Sequence, residues 1–450
     1  GIADEVETDP QAVADGTRDW WQGTMLAETD GVPMTAGAVV VKVSTVDQVQ
    51  AVLRLAGQHG LPVTVSAGRS NVTGAALPVR GGVVLDVVGL NRILGFNPVD
   101  QTVEVEAGVF GDVLEAHLQA EHSATVGHWP QSFAISTVGG WVACRGAGQL
   151  STRYGKIEDI VVEMDVVLAS GELVRVGGTS RHAVGPDLRH LFTGSEGALG
   201  VITRVVLRTW DLPDHGSAIA FAFDTFADGV EACRRVMQTG ATPAVLRLYD
   251  QAEAQHHFGA ESSLLLVADE GDPAIVDATI AVARRECAAL GEERESEPIL
   301  QRWLDTRYAI PRATTVNGDR HITADTMEVA GLWTQLPRLY DGVVAAVGAV
   351  PGTISVTAHV SHAYSDSAGI YFTLIGMTGF DDRAGWYQAA WDAANAVVLA
   401  QGAPLSHHHG IGVLRSPYLS DSLGAAMGVW RAVKTALDPN GILNPGKLGL

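Results

Sequence analysis

Residues 127–162 are rich in glycine and in residues with hydroxyl side chains, a composition that suits the binding of a large flat ligand. The glycines are Gly139, Gly140, Gly146 and Gly148, and the hydroxyl groups belong to Ser132, Ser136 and Thr137. Glycine lets a ring or a pyrophosphate approach the backbone closely, and hydroxyl groups add hydrogen bonds beside exposed N–H groups. The pattern favours a flavin site. A turn-rich loop is the alternative, since glycine and serine also mark turns.

A second candidate for ligand binding is the loop after a strand predicted over 62–66. It reads AGRSNVTG over 67–74, and a buried strand resumes at Val83. Consecutive backbone N–H groups, the Ser70 hydroxyl group and the charge of Arg69 could surround a pyrophosphate. The loop matches neither GxGxxG nor GxxxxGK[ST], so the standard dinucleotide-binding and nucleotide-hydrolase folds are not indicated.

The composition limits the protein class and its partners. The chain has 450 residues, of which 46% are hydrophobic and 18% charged. This length exceeds the size at which one hydrophobic core keeps growing, so two domains are expected. The formal net charge of −21 argues against nucleic acid or an anionic membrane as a partner, because binding phosphates needs the opposite sign. An anionic substrate would depend on a few local cations.

The cysteines and the N-terminal segment bear on the compartment. Cys144, Cys233 and Cys287 are widely spaced and form no CxxC pair. They indicate neither a disulfide framework nor a zinc site, and a reducing cytoplasm fits best. No signal sequence is visible, and no run of about eighteen apolar residues occurs. We therefore expect a cytoplasmic protein that does not span a membrane.

The pattern of predicted elements changes near the middle of the chain. The first half begins with a strand over 39–43 and a helix that starts at a capping box of Thr45 and Gln48. It continues with a hairpin over 160–168 and 173–176 and ends with a glycine-punctuated loop that leads into a buried strand over 191–207. After a linker at 211–216, strands and helices follow in a pattern that suits an antiparallel sheet backed by helices on one face.

Five motifs, in chain order, resemble those of the vanillyl-alcohol oxidase/p-cresol methylhydroxylase family of FAD flavoproteins. They are the loop at 66–74, GHxPxSx(3)STVGGW from residue 127, RYGxIEDIV from 153, TGSEGALGVIT from 193 and DPNGILNPGK from 438. The resemblance spans nearly the whole chain. Within the family the likeness is closest to alkyldihydroxyacetonephosphate synthase, through the segments STVGGWVACRGAG, RLYD, IYF and SHHHGIGVLR.

The resemblance implies an α+β fold in two domains. A two-subdomain FAD-binding domain of the p-cresol methylhydroxylase type would comprise residues 1–210. A cap domain, with an antiparallel sheet covered by helices, would comprise residues 211–415 and carry substrate groups. The C-terminal segment, 416–450, would return to the FAD-binding domain.

The resemblance also assigns cofactor-binding residues. The pyrophosphate would be held by Ser66, Gly68, Arg69, Ser70 and Asn71. The flavin would be lined by Pro130, Ser132, Thr137, Gly139 and Gly140, with His128 and Ser136 beside them, and Glu196 and Ile202 would lie near the adenosine end. Some relatives attach FAD covalently through a histidine in the pyrophosphate loop, but Arg69 stands at that place here. Non-covalent FAD is therefore expected.

For the reaction, the resemblance assigns a phenol and imidazoles as the acid and base groups. These are Tyr371, His407, His408 and His409, while Arg247 would be an anchor and Arg312 an anion-binding cation. Phenol and imidazole groups are suited to moving protons beside a flavin, and arginine matches phosphate or carboxylate.

Several positions depart from the synthase pattern and leave the substrate open. Gln335 stands where the synthase has an arginine, Trp129 and Gln131 replace acidic neighbours of His128, and Arg312 fits only after a two-residue shift. The three adjacent histidines also raise the question of a metal. In an extended segment at most two of them could bind one ion, and the carboxylate of the related EHGIG metal motif is replaced by His408. We expect no catalytic metal.

Three functions stay open at this level. The first is an FAD-dependent oxidoreductase that acts on a polar, hydroxyl-bearing small molecule, either neutral or anionic. It would remove a proton and a hydride from the substrate and pass the electrons to an acceptor. The second is the synthase-like, non-redox alkyl exchange with the flavin as covalent catalyst. The third is a flavoprotein subunit that serves an electron carrier. The motifs favour the second and the departures favour the first, which we expect; a homodimer is compatible with each.

Overall fold

The structure, a computed structural model, describes residues 1–32, 37–179, 181–309, 321–379 and 382–450. The strands are β1 Glu5–Glu7, β2 Ala38–Lys42, β3 Val63–Ser66, β4 Gly82–Asp86, β5 Ile93–Asn97, β6 Thr102–Glu106, β7 Ala124–Thr125, β8 Val161–Val167, β9 Leu173–Gly177, β10 Val201–Arg208, β11 Trp210–Asp211, β12 Gly216–Phe223, β13 Val245–Tyr249, β14 Ser263–Glu270, β15 Glu292–Arg294, β16 Ile322–Leu332, β17 Thr353–Ala363 and β18 Ser367–Met377. The helices are α1 Pro10–Thr17, α2 Gln22–Thr29, α3 Val46–His59, α4 Gly111–His122, α5 Val138–Cys144, α6 Ser151–Tyr154, α7 Ile157–Ile160, α8 Arg189–Phe192, α9 Phe226–Gln238, α10 Gln251–Phe258, α11 Pro273–Ala288, α12 Glu297–Thr306, α13 Leu336–Gly348, α14 Arg383–Ala400, α15 Ser416–Leu423 and α16 Ala426–Leu437.

The chain divides into two compact units. The first unit comprises Gly1–Gly146, Lys156–Asp211 and His408–Leu450, and the second comprises Ala147–Gly155 and Leu212–His407. The domain boundaries expected from the sequence stay a proposal.

The first sheet of the first unit is built on a β-α-β unit. Its strand order is β1-β2-β4-β3, with β2, β4 and β3 parallel. The predicted capping box is confirmed: the backbone N–H of Gln48 donates to the Thr45 hydroxyl group, and the Gln48 side chain accepts from the backbone N–H of Thr45. The loop at 67–74 leaves the carboxyl end of β3, where parallel sheets commonly bind ligands.

The second sheet of the first unit is antiparallel, in the order β5-β6-β10-β8-β9. The predicted hairpin is confirmed as β8 and β9. The core of this sheet is apolar and fully buried, with Val105, Met164, Val205 and Leu114 among its members. The chain end also packs in the first unit, since the backbone N–H of Val63 on β3 donates to the carbonyl oxygen of Ile442 at 2.7 Å.

The second unit is a seven-stranded antiparallel sheet in the order β15-β12-β14-β13-β17-β18-β16. Its helix-covered face buries alternate residues such as Val360 and Phe372 against α13, which contributes Leu339 and Val343. The predicted α+β class, with an antiparallel sheet covered by helices, is confirmed.

Two strands of this sheet, β15 and β16, were not anticipated from the sequence. On β16 the helix side carries Asp325, whose carboxylate accepts hydrogen bonds from the Tyr387 hydroxyl group at 2.8 Å and from Nε1 of Trp391 at 3.1 Å. A carboxylate on the covered face interrupts the alternation of apolar and polar residues by which such a strand is recognised.

Among the described residues, no helix is both long enough and apolar enough to span a bilayer.

Candidate functional site

The face of the second unit's sheet opposite α13 carries a row of polar side chains across four strands. The strand registers pair Tyr249 with His359, His359 with Tyr371, and Tyr371 with Glu328. Because residues directly opposite each other on neighbouring strands share a face, these four side chains lie side by side. We call this surface, with Arg247, the polar face.

Arg247 supplies the positive charge of the polar face. It lies two residues before Tyr249 on β13 and therefore on the same side of the sheet. Its Nε donates a hydrogen bond to the Tyr249 hydroxyl group at 2.8 Å, and the guanidinium group stands over the Tyr249 ring at 5.1 Å. Tyr249 is buried and Arg247 is partly exposed, so the contacts with Tyr249 hold the guanidinium group in a fixed direction.

Tyr371 lies next to His359, with the two rings stacked at 5.0 Å between centroids and 12° between planes. Its hydroxyl group donates to Oγ1 of Thr326 at 3.0 Å. Loss of water around the hydroxyl group raises the pKa of Tyr371 above its usual value. Near neutral pH the phenol is therefore protonated and acts as a hydrogen-bond or proton donor.

His407 lies over the same face, beside Gly369. A Cβ atom on Gly369 would lie at van der Waals distance, 3.5 Å, from the His407 ring and only 3.1 Å from the Ser361 carbonyl oxygen, which is a tight contact. Nε2 of His407 lies 3.0 Å from the Tyr364 hydroxyl group. The carboxylate of Glu328 accepts from the backbone N–H of His407, which places this histidine at the end of the row.

His362 also lies beside His407, but its position depends on an irregularity of the strand. It occupies a β-bulge between β17 and β18 with φ at 55°, a left-handed conformation. Nδ1 of His362 lies 2.8 Å from the Ser151 hydroxyl group, and its ring stacks on that of His407 at 5.1 Å. The bulge turns His362 out of the strict alternation of β17.

The other predicted reaction residues are placed differently. His408 and His409 belong to the first unit, where the carbonyl oxygen of His409 accepts a hydrogen bond from Nδ2 of Asn71 at 3.0 Å. The three histidines lie in a bend, so they do not form the extended segment considered from the sequence. Arg312 lies outside the described residues.

In the first unit, the two glycine-rich segments pack on each other. A Cβ atom on Gly68 would lie 2.4 Å from the carbonyl oxygen of Ile135, so only glycine allows this approach. Arg69 has φ at 53°, and its guanidinium group lies 3.6 Å from the carboxylate of Asp86. The loop therefore presents its backbone beside the segment that leads into α5.

Asn71 has a largely structural task within its loop. Its Oδ1 accepts from the backbone N–H groups of Thr73 at 2.8 Å and Ala75 at 3.0 Å, and from the Thr73 hydroxyl group at 2.9 Å. Because Nδ2 also donates to the carbonyl oxygen of His409, both ends of the Asn71 amide stabilise the conformation of the loop. Its predicted contact with a pyrophosphate stays a prediction.

The segment before α5 uses its hydroxyl groups internally. Thr137 is the N-cap of α5 and accepts from the backbone N–H of Gly140, while Ser136 accepts from Nε1 of Trp141 at 2.7 Å. Pro130 and Ser132 lie in successive turns, both partly buried. Gly139 packs tightly against Ala107.

Glu196 and Ile202, which are predicted to lie near the adenosine end, both have partners within the first unit. The Glu196 carboxylate accepts from the backbone N–H groups of Ile411 at 2.6 Å and Gly412 at 2.9 Å. Ile202 is part of the apolar core beneath the antiparallel sheet. Their assignment to the adenosine end stays a prediction.

The comparison with known families agrees with this architecture. The family of FAD linked oxidases, C-terminal domain, matches residues 212–448, which is more than half of the chain, and the FAD binding domain matches residues 37–177. The chain belongs to the FAD-linked oxidase family.

Individual members resemble the chain over most of its length. The "uncharacterized FAD-linked oxidoreductase YgcU" of Escherichia coli K12 is 29% identical over 434 residues, which cover 91% of this chain and 88% of that protein. Alkyldihydroxyacetonephosphate synthase of Dictyostelium discoideum is 28% identical over 443 residues, covering 89% of this chain and 71% of that protein. The crystal structure of p-cresol methylhydroxylase with bound substrate superimposes with a TM-score of 0.80 at 17% identity and covers 100% of this chain and 95% of that one, a likeness of fold. The resemblance recognised from the sequence motifs is confirmed.

The residues of the FAD-linked oxidase's first unit fit an FAD group. Oγ of Ser66 and both ring nitrogens of His128 are buried and lack a hydrogen-bond partner within the described residues. Burial lowers the pKa of His128 to about 3, so its ring is neutral. Buried polar atoms are rarely left without a partner, and a bound cofactor's polar groups would satisfy them. Gly140 adds open backbone, because a Cβ atom there would meet only the Thr137 hydroxyl oxygen.

Sequence reasoning missed Tyr249, His359 and Glu328 as members of the polar face. Each belongs to a strand in which polar residues alternate with apolar ones, as in R-L-Y over 247–249 and H-V-S over 359–361. That alternation predicts a shared side within one strand. The register between strands, which brings the four side chains together, leaves no comparable signal in the sequence.

Proposed function

We propose that this FAD-linked oxidase is an FAD-dependent oxidoreductase acting on a polar, hydroxyl-bearing small molecule with an anionic group. The observation that carries the proposal is that Arg247 and Tyr371 lie on one polar face, where a cation and a protonated phenol stand near each other. Such a pair can bind an anion and orient a hydroxyl group. The family, and relatives named as FAD-linked oxidoreductases, support redox chemistry.

The residues take the following roles in this proposal. Ser66, Gly68, Arg69, Ser70 and Asn71 hold the pyrophosphate, and the segment from His128 to Gly140 lines the flavin. When bound, FAD supplies a two-electron acceptor. Arg247 anchors the anionic group of the substrate, with Arg312 as a further cation.

Tyr371 and the histidine triplet supply the acid and base groups. Tyr371 orients the substrate hydroxyl group by a hydrogen bond, and His407, on the same face, takes part in proton movement. His408 and His409 complete the predicted set. Substrate binding on this face also displaces water, which strengthens the interaction with Arg247.

We further propose that FAD is bound without a covalent link, because Arg69 stands where some relatives carry the attaching histidine. A separate acceptor reoxidises the flavin. The cytoplasmic location, the possible homodimer and the assignment of residues 1–210 and 416–450 to the FAD-binding domain belong to the same proposal.

A second candidate is alkyl exchange of the synthase type, in which no net oxidation occurs. The likeness to the Dictyostelium synthase favours it, as does the SHHHGIGVLR segment. The two candidates differ in their need for an acceptor, since an exchange reaction leaves the flavin oxidised after each turnover.

The deciding experiment is anaerobic. The purified protein is mixed with D-lactate, D-2-hydroxyglutarate or sn-glycerol 3-phosphate, and flavin absorbance is followed. If the protein is an oxidoreductase, its substrate bleaches the flavin absorbance, which stays low until an acceptor is added. Formation of an ether lipid from acyl-dihydroxyacetone phosphate and a fatty alcohol, with no acceptor present, would establish the synthase reaction instead.

A further inference from the structure

A buried carboxylate and imidazole pair lies at the centre of the polar face. Nδ1 of His359 lies 2.9 Å from Oε1 of Glu253, and the side chains of both residues are only 7% exposed. An ionised carboxylate can only accept hydrogen bonds, so Nδ1 carries the proton and donates it. The neutral imidazole then has its lone pair on Nε2, which makes no hydrogen bond within the described part of the chain.

The charges around the pair favour this protonation state. Burial and the nearby charge of Arg247 lower the pKa of His359. Although burial acts to raise it, the interactions with His359, His257 and Arg247 lower the pKa of Glu253. The other titratable groups that face His359 are Tyr249 and Tyr371, whose rings lie 5.9 Å and 5.0 Å from it.

The pair is not needed to attach α10 to the sheet, because Asp250 already does so. Oδ2 of Asp250 accepts from the backbone N–H of Ala358 at 2.7 Å, the residue before His359. The backbone N–H of Asp250 donates to the Ala358 carbonyl oxygen at 2.9 Å. Asp250 also caps α10, accepting from the backbone N–H of Glu253 at 2.7 Å. These bonds fix where Glu253 points and leave its carboxylate for His359.

We propose that His359 is the base that accepts the proton of the substrate hydroxyl group, with Glu253 as its positioning residue; this deepens the oxidoreductase function proposed above and rests on it. The substrate O–H bond breaks, an N–H bond forms at Nε2, and the electron pair stays on the substrate oxygen. Nδ1 keeps its hydrogen bond, and the Glu253 carboxylate balances the charge of the imidazolium ion. Tyr371, protonated beside it, orients the same oxygen.

The first test measures the anaerobic rate of flavin reduction against pH with the 2-hydroxy acid that bleaches the wild type. Glu253→Gln is expected to slow reduction at least tenfold at saturating substrate. It should also move the acid limb of the profile to lower pH, because an imidazolium ion without its counter-charge loses its proton more easily. His359→Gln should remove that limb. His256→Gln is the matched control, since His256 lies on the same helix, α10, at an exposed position and is expected to change neither rate nor limb.

A conservative variant separates charge from packing. If the carboxylate acts by its charge, Glu253→Asp reduces flavin faster than Glu253→Gln. If Glu253 only fills space, the order is reversed, because glutamine has the size of glutamate and aspartate is shorter. The reversed order would overturn the proposal. Absorbance of the released FAD verifies that each variant binds the cofactor.

The second test does not depend on turnover. In ¹⁵N-histidine-labelled protein, His359, assigned with His359→Gln, is expected to show a protonated Nδ1 and an unprotonated Nε2 near neutral pH. The Nδ1 proton signal should move upfield in Glu253→Gln and stay in place in His256→Gln. An unchanged signal in Glu253→Gln would refute the pair.

The outcomes distinguish the two proposals. If no hydroxyl compound bleaches the wild-type flavin, the oxidoreductase function fails, while the resonance of His359 still tests the pair. If the wild type bleaches and His359→Gln bleaches equally fast, the function stands and His359 is not the base.

Discussion

The carboxylate of Glu196 accepts a hydrogen bond from the backbone N–H of Gly412 at 2.9 Å, which joins two motifs that lie far apart in the sequence. Glu196 belongs to the TGSEGALG segment and Gly412 follows the histidine triplet. Burial raises the pKa of Glu196, and the hydrogen bonds from Ile411 and Gly412 act in the opposite direction. The Glu196 carboxylate thus helps to hold the chain after the histidines within the first unit, together with the Thr73 carbonyl oxygen, which accepts from the backbone N–H groups of Val413 and Leu414.

We predict that Glu196→Gln destabilises the protein by about 1.5–3 kcal/mol, the usual range for hydrogen bonds to a charged acceptor. Glutamine can present only one oxygen to the two N–H groups. Denaturant unfolding of the FAD-loaded protein measures the effect. Glu121→Gln, at an exposed position, is the control, and equal unfolding midpoints for both variants would contradict the prediction.

Arg247→Ala should raise the KM for an anionic substrate about thirtyfold, which corresponds to about 2 kcal/mol, and should change kcat much less. In the proposed function the guanidinium group would bind the substrate before and during the reaction alike. Arg247→Lys should recover part of the loss, since a point charge remains without the fork geometry. Steady-state kinetics of the three proteins give the comparison; an unchanged KM in Arg247→Ala would mean that the anion is bound elsewhere.

Tyr371→Phe should slow flavin reduction about a hundredfold while FAD stays bound. Because the raised pKa keeps the phenol protonated near neutral pH, we expect the shape of the pH profile to be retained. Stopped-flow reduction without oxygen provides the rates. Loss of a limb of the profile in this variant would show that Tyr371 acts as the base.

Stability should depend on pH through Asp19, a buried residue of the first unit. Burial raises the pKa of Asp19 to about 7 from an ordinary value of 3.8. The folded state thus binds a proton that the unfolded state has released, so this contribution to stability is complete below about pH 4 and is lost as the pH rises to about 7. Between these pH values the free energy of unfolding should fall in the wild type by at least about 1 kcal/mol more than in Asp19→Asn, because asparagine stays neutral. An equal change in the free energy of unfolding with pH in the wild type and in Asp19→Asn would refute the raised pKa of Asp19.

The flavin should leave the polypeptide on denaturation. Arg69 offers no nucleophile to the flavin ring, so acid precipitation is expected to release all FAD into the supernatant, where fluorescence measures it. Colour that remains with the precipitated protein would reveal a covalent bond.

Local features of this protein could be predicted from the sequence because they depend on neighbouring residues. The capping box of Thr45 and Gln48 spans three positions, and the hairpin of β8 and β9 closes at a short turn. The glycine-rich loops and the motifs around them were sufficient to indicate the FAD-linked fold. Each of these features depends on residues that are close together in the sequence.

The polar face depended on the tertiary structure. Tyr249, His359, Tyr371 and Glu328 come from four strands, and their alignment arises from pairing registers between distant segments. The partners of Asn71 and Glu196 were also hidden, because a carboxamide or a carboxylate can serve a ligand or a distant backbone equally well. The sequence alone determined which groups are available, and folding decided which of them are already used within the protein and which lie together on one face of the sheet.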